Sequence, residues 1–266
     1  MKTINKIALV LAIAIFTTAG LSAQSYKHAV KNAKKVVIEN LLAEVTFEGY
    51  NGNEIVVEVS HFEAPPKRAD GLKAIYGGGE DNSGIGLSFA EVDGSIWISG
   101  ASKQSEEATY TFKIPNSVAL KVNYSSPFVE ADQVTFKNFT NEISVKTLDA
   151  DIEFDNVSGP ITSGTIDGTT MVAFGIVNQE SPITISSIDG EIDVSLPSNT
   201  PADVRFSNMD GEVYTDFDID FQKKNKDGRT HMSYIGGHNS SKGTINGGGV
   251  EITLKTIDGV IYLRKK

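Results

Sequence analysis

The chain contains no cysteine in 266 residues. Disulfides, a thiol nucleophile and a lipidated cysteine are therefore excluded, and the fold must be held together by its core alone. Basic residues are in deficit, with 24 Lys and Arg against 34 Asp and Glu and a net charge of −10. Nucleic acids and anionic lipid surfaces are poor partners for such a chain, because neutralising phosphates needs clustered Lys or Arg. Cationic peptides, divalent ions and neutral glycans are the compatible classes. Long apolar runs are missing after the first one. Tryptophan occurs once, as Trp97.

The single apolar run, residues 7–16, follows Lys2 and Lys6 and relaxes through Thr17 and Thr18 to Leu21-Ser22-Ala23. This is the layout of a cleavable export signal, and ten residues are too few to span a bilayer, which takes about 20. Residues 1–23 are read as the signal and 24–266 as one domain outside the cytoplasm, in the periplasm, at the outer-membrane surface or extracellular. Losing the two lysines takes the formal charge from −10 to −12. The mature length can bury a sizeable core.

What is present is a repeat: apolar, Asp, Gly, any, apolar, any, apolar. It runs Val92-Asp93-Gly94-Ser95-Ile96-Trp97-Ile98, then Ile166-Asp167-Gly168-Thr169-Thr170-Met171-Val172, then Ile188-Asp189-Gly190-Glu191-Ile192-Asp193-Val194. Two more copies are Met209-Asp210-Gly211-Glu212-Val213-Tyr214-Thr215 and Ile257-Asp258-Gly259-Val260-Ile261-Tyr262-Leu263, and Leu148-Asp149-Ala150 begins one that lacks the glycine. The aspartates at 149, 167, 189 and 210 are 18, 22 and 21 apart, whereas Asp258 follows after 48. A period near 20 belongs to solenoids. Asp-Gly is a turn signal, and the alternation after it makes a strand with one face inward. The third and fifth residues after each aspartate, such as Ile192 and Val194, should enter the core. The apolar residue before each aspartate should be anchored inside as well.

Short β-rich segments at 36–39, 54–59, 109–114, 142–145, 183–185, 202–206, 251–255 and 260–263 complete the picture, with no amphipathic helix. The expected class is all-β, a β-solenoid of stacked coils, with a twisted β-sandwich as the alternative. Glycine-rich stretches near 65–86 and 222–249 read as loop excursions.

The opening Val36-Val37-Ile38-Glu39-Asn40, the segment 51–59 from Asn51-Gly52 to Val59, Tyr110-Thr111-Phe112-Lys113-Ile114-Pro115, the Asp-Gly coils and the closing Thr256-Ile257-Asp258-Gly259-Val260-Ile261 together resemble the bacterial putative-adhesin family of unknown function. The resemblance covers most of the mature chain. It implies an exported β-solenoid and transfers no catalytic or ligand residues.

Chemistry is sparse. His28, His61, His231 and His238 form no metal-ligand pattern, and no nucleophile elbow or phosphate-cradling loop occurs. No cofactor and no catalytic or metal site is expected, and the motif aspartates are read as turn residues. Asp216, Asp218 and Asp220 alternate as in a calcium loop, but Phe221 stands where glycine is needed. An amphipathic strand with Phe217, Ile219 and Phe221 inward explains them better. The residue four after each motif aspartate should point outward, which puts Trp97, Tyr214 and Tyr262 at equivalent sites and makes them a candidate recognition face. The functional expectation is a non-catalytic binding or adhesin-like module of the cell envelope acting on a protein or glycan. The alternatives are an envelope-stress regulator working through a protein partner and, third, a carbohydrate-active enzyme on a β-helix.

Overall fold

The computed structural model describes residues 24–63, 65–72, 74–77, 79–125, 133–221, 233–235 and 238–266. The expected signal at 1–23, His231 and the side chain of His238 lie outside them.

Two sheets of ten and twelve strands face each other across a single apolar interior. The strands alternate inward and outward residues with period two, as in Ala202–Asn208, where every second residue is buried. Each coil crosses one sheet, turns, crosses the other and returns. Ile143–Thr147 of the larger sheet leads to Asp151–Val157 of the smaller one, Ile161–Gly164 to Thr170–Phe174, and Ile183–Ser186 to Ile192–Leu196. Neighbouring coils pair in parallel in both sheets. That pairing makes the molecule a β-solenoid and not a sandwich of antiparallel hairpins. The only helices among the described residues are two 3-10 turns, Lys67–Ala69 and Lys103–Ser105.

Coil order in space departs from chain order at both ends. The final coil, Val250–Lys255 and Ile261–Lys265, lies between the coil at Ile183–Leu196 and the coil formed by Ala202–Asn208 and Val213–Thr215. The spatial order of the corner aspartates is thus 167, 189, 258, 210. At the other end the chain's first coil, Lys35–Glu39 and Glu44–Tyr50, sits inside a later one made by Ser95–Gly100 and Thr109–Pro115. The step of 48 residues to Asp258 is therefore an out-and-back detour, and its return slots into an interior position.

Antiparallel strands extend both sheets at the N-terminal end and only the larger sheet at the other. Gln24–Ala29 and Glu54–Ser60 extend the smaller sheet, and Leu87–Val92 and His238–Ile245 extend the larger one. Two expectations need correcting here. The stretch at 65–86 is not structureless: it holds a 3-10 turn and a small hairpin, Ile75–Tyr76 with Gly79–Glu80. Its end is tied by the Asp81 carboxylate, which accepts the Ser83, Gly84 and Gly86 amides at 2.8–3.0 Å. The excursion at 222–249 is not all loop: its described residues include the eight-residue strand His238–Ile245, which pairs along all of Ala202–Asn208. Glycine content disguised both, because glycine lowers strand propensity without forbidding strand geometry.

The core changes character along the stack. In the first half, Phe112, Phe47, Phe136 and Phe154 lie in register on adjacent strands with ring centroids 5.3, 5.1 and 4.9 Å apart. The same column continues as Val172, Val194 and Leu263. In the neighbouring inward column Thr170 stands between Ile152 and Ile192, fully buried, and its hydroxyl has no partner.

Candidate functional site

The repeated corners are the most regular feature of the surface. Gly168, Gly190, Gly259 and Gly211 have φ of 121°, 147°, 149° and 144°. A Cβ on Gly190 would stand 2.3 Å from the Gly168 carbonyl oxygen, and one on Gly211 would stand 1.9 Å from that of Gly259. Each glycine thus lets one corner sit directly on the next. Ala150 is tolerated because its φ is not positive. Inside the corner, the residue two before the aspartate is polar and buried in every stacked coil: Thr147, Thr165, Ser187, Thr256 and Asn208. Thr165 donates to the Asp167 carbonyl at 2.7 Å and Asn208 to that of Gly211 at 2.6 Å, answering turn carbonyls that face the core. This Thr/Ser/Asn position was legible in the sequence and escaped the reading, which followed apolar positions alone.

The residue before each aspartate is not anchored inside. Ile166, Ile188, Ile257 and Met209 are between 41% and 46% exposed, Val92 is 50% exposed and Leu148 half-buried. The physical reason is strand parity. The buried Thr165 or Ser187 occupies the inward position, so its neighbour must face out.

The copy at Asp93-Gly94 is a different object. With φ of 49° and 72° these two residues close a hairpin in which Val92 pairs with Ser95. Trp97 then lies on a strand of the larger sheet, between Val37 and Ala90, and is half-buried. It is separated from the tyrosines by the thickness of the molecule. The candidate recognition face is corrected accordingly: Trp97 does not belong to it.

Tyr214 and Tyr262 do come together. They are register partners on adjacent strands, with rings stacked at 5.6 Å and 17°. The Arg264 guanidinium lies over the Tyr262 ring at 4.7 Å and pairs with Asp193 at 2.9 Å. Tyr214 lies on the last strand of the smaller sheet and is 50% exposed. Its hydroxyl donates to the Glu212 carboxylate, and that bond and the neighbouring charge raise its pKa above the ordinary tyrosine value. Beside it opens a cleft of about 510 Å³ lined by Phe206, Val213, Tyr214, Ile219 and Phe221, with Asn208 and Ser241 as polar members.

The Asp216–Asp220 alternation is broken by the fold. Val213–Thr215 belongs to one sheet and Asp220–Phe221 to the other, with Asp216 and Asp218 in the connection between them, so the three do not alternate along one strand. Asp216 accepts the Lys265 amide at 2.8 Å, and Phe217 is buried under the Lys265 ammonium. Among the described residues no group of three or more His, Asp or Glu is placed to hold a metal ion. His28 packs on Phe89 at 5.2 Å and lies 3.4 Å from Glu91, whose pKa is held below the ordinary carboxylate value chiefly by its bond to Lys31.

Two sheets built from stacked parallel coils place the chain in the class of β-solenoid-like proteins. Residues 86–261 match the family described as Toastrack DUF4097, and the chain belongs to that family. Two solved structures are similar: a putative cell adhesion protein from Clostridium sporogenes ATCC 15579, at 12% identity over 92% of this chain and 100% of that one with a TM-score of 0.43, and a putative adhesin from Bacteroides fragilis NCTC 9343, at 11% over 93% and 98% with a TM-score of 0.33. No curated protein matches the chain. No helix among the described residues is long and apolar enough to cross a membrane.

Proposed function

We propose that the chain is an exported, non-catalytic binding module of the bacterial cell envelope, which holds its ligand at the open end of the solenoid. The observation that carries this reading is the exposed Tyr214 ring, set at the edge of a sheet beside an apolar cleft with polar members at Asn208 and Ser241. An aromatic face next to hydrogen-bonding groups suits a sugar ring or an extended peptide. The corner aspartates support a structural role, since they repeat in equivalent settings. Two carboxyls that divide the work of acid and base need environments that differ. Export rests on the leading 23 residues.

The test is a glycan array and a peptide array probed with residues 24–266, each hit then titrated against Tyr214→Ala. Binding that weakens about tenfold or more in the variant, with the melting temperature unchanged, supports the site. Wild-type binding untouched by Tyr214→Ala moves the site elsewhere, and release of reducing sugar from any bound glycan ends the non-catalytic reading.

A further inference from the structure

The outward row before the corner aspartates offers a second surface, independent of the aromatic end. Leu148, Ile166, Ile188, Ile257 and Met209 follow one another on successive coils, linked by backbone bonds such as Asp189 N–H to the Ile166 carbonyl at 2.7 Å and Asp258 N–H to that of Ile188 at 2.8 Å. They form an aliphatic ridge just past the C-terminal ends of five strands of the larger sheet. Ile166, Ile188, Ile257 and Met209 each leave between 41% and 46% of their surface to water. An exposed ridge of this length is unusual on a monomer. Its flanks are charged in an ordered way. On one side run the corner aspartates, all exposed, and on the other the outward residues two before the ridge: Lys146, Gly164, Ser186, Lys255 and Ser207. Among the described residues, the side chains of Asp149, Asp258, Lys146 and Lys255 have no ion-pair partner.

We infer that this ridge is the interface of a parallel two-fold dimer of the chain. The ridge repeats at the coil spacing, about 4.8 Å. A helix or a single extended strand lying along it repeats at about 5.4 Å or more, so only another stack of coils stays in step. Two orientations of a second copy are open. If the stacks run antiparallel, with the two-fold across the ridge, aspartate column faces aspartate column. If they run parallel, with the two-fold along the ridge, each aspartate column faces the lysine-bearing column of the other copy at the same coil. Asp149 then meets Lys146 of the second copy, Asp258 meets its Lys255, and the symmetry doubles both pairs. Gly164, Ser186 and Ser207 fill the remaining places with side chains small enough for close approach. The contact is isologous and closes at two.

Sedimentation equilibrium of residues 24–266 from micromolar to millimolar concentration tests the association. A monomer–dimer equilibrium is expected, and a monomer throughout overturns the inference while leaving the proposed ligand site untouched. Ile166→Asp with Ile188→Asp should weaken the dimer about tenfold or more. Should that variant fail to fold, Lys255→Glu alone should weaken the dimer and adding Asp258→Lys should restore it; failure of the restoration counts against the pairing. Because the chain has no cysteine, orientation is readable by cross-linking. Leu148→Cys and Met209→Cys should each form a disulfide with its own kind. Cross-linking only in a mixture of the two means antiparallel stacks and overturns the arrangement.

Discussion

Asp93-Gly94 and Asp189-Gly190 are the same dipeptide in the same frame of apolar residues, yet one closes a hairpin near the N-terminal end and the other turns a parallel coil in the repeat. In the hairpin both residues take positive φ and nothing lies within 4 Å of a Cβ on Gly94. In the corner only the glycine does, and a neighbouring carbonyl fills the space. The surrounding cores differ in parallel. The N-terminal region is stacked phenylalanine with buried Tyr110 and Tyr124, and the repeat region is Ile, Val and Leu with hydroxyls turned inward. The first region is fixed by bulk and the second by close backbone stacking. Each therefore has its own point of failure.

Removing residues 250–266 should have the largest effect. It takes out an interior coil and not an end, parting two strands in each sheet. No cooperative melting transition is expected by circular dichroism, whereas removing the edge strand at 24–29 should leave one. Next, Phe136→Ala, which empties the middle of the aromatic column, should cost about 3–5 kcal/mol in denaturant unfolding, against about 2–3 for Val194→Ala in the repeat. The two glycines separate the two uses of the turn most sharply. Gly190→Ala forces a Cβ into the Gly168 carbonyl as well as onto a strained φ, and should cost about 3 kcal/mol or more; Gly94→Ala carries only the φ penalty, about 1–2 kcal/mol. Equal losses at the two sites would mean the corners are not closely stacked.

Alkaline pH should also distinguish the regions. Burial pushes the Tyr110 and Tyr124 phenols well above the ordinary value of 10.0, with Asp81 and Glu44 adding smaller shifts. A raised folded pKa means the native state holds a proton that the unfolded chain releases. The associated stability is whole below pH 10 and drains away as pH rises beyond it. Unfolding should therefore begin in the N-terminal region above pH 10, and Tyr110→Phe should flatten that dependence. The same variant loses about 1 kcal/mol at neutral pH, since Tyr110 donates to the Ile85 carbonyl at 2.6 Å. The smallest effect is a gain. Thr170→Val replaces a buried, unpartnered hydroxyl by a methyl of the same shape and should stabilise the repeat by about 1 kcal/mol.

Much of this was legible beforehand. The strands at Ile183–Ser186 and Ala202–Asn208 were readable because alternation reports directly on which side chains enter the core. The corners were readable because Asp-Gly marks a turn. The exposed ridge was not, since an apolar residue beside a turn fits either face, and the buried threonine that decides its direction is unremarkable in a sequence. Nor was the placement of Trp97, because the motif that carries it serves equally as a hairpin.

The sequence by itself determined the period, the class of secondary structure and the glycines that must lie where backbones nearly touch. These follow from local sterics and from the parity of strands. Only the tertiary structure decided the order of the coils, the separation of Trp97 from the two tyrosines and the crossing between sheets that breaks up three alternating carboxylates. Each depends on which coil lies against which, and coils of nearly identical pattern accept one another in more than one order until the whole interior is closed.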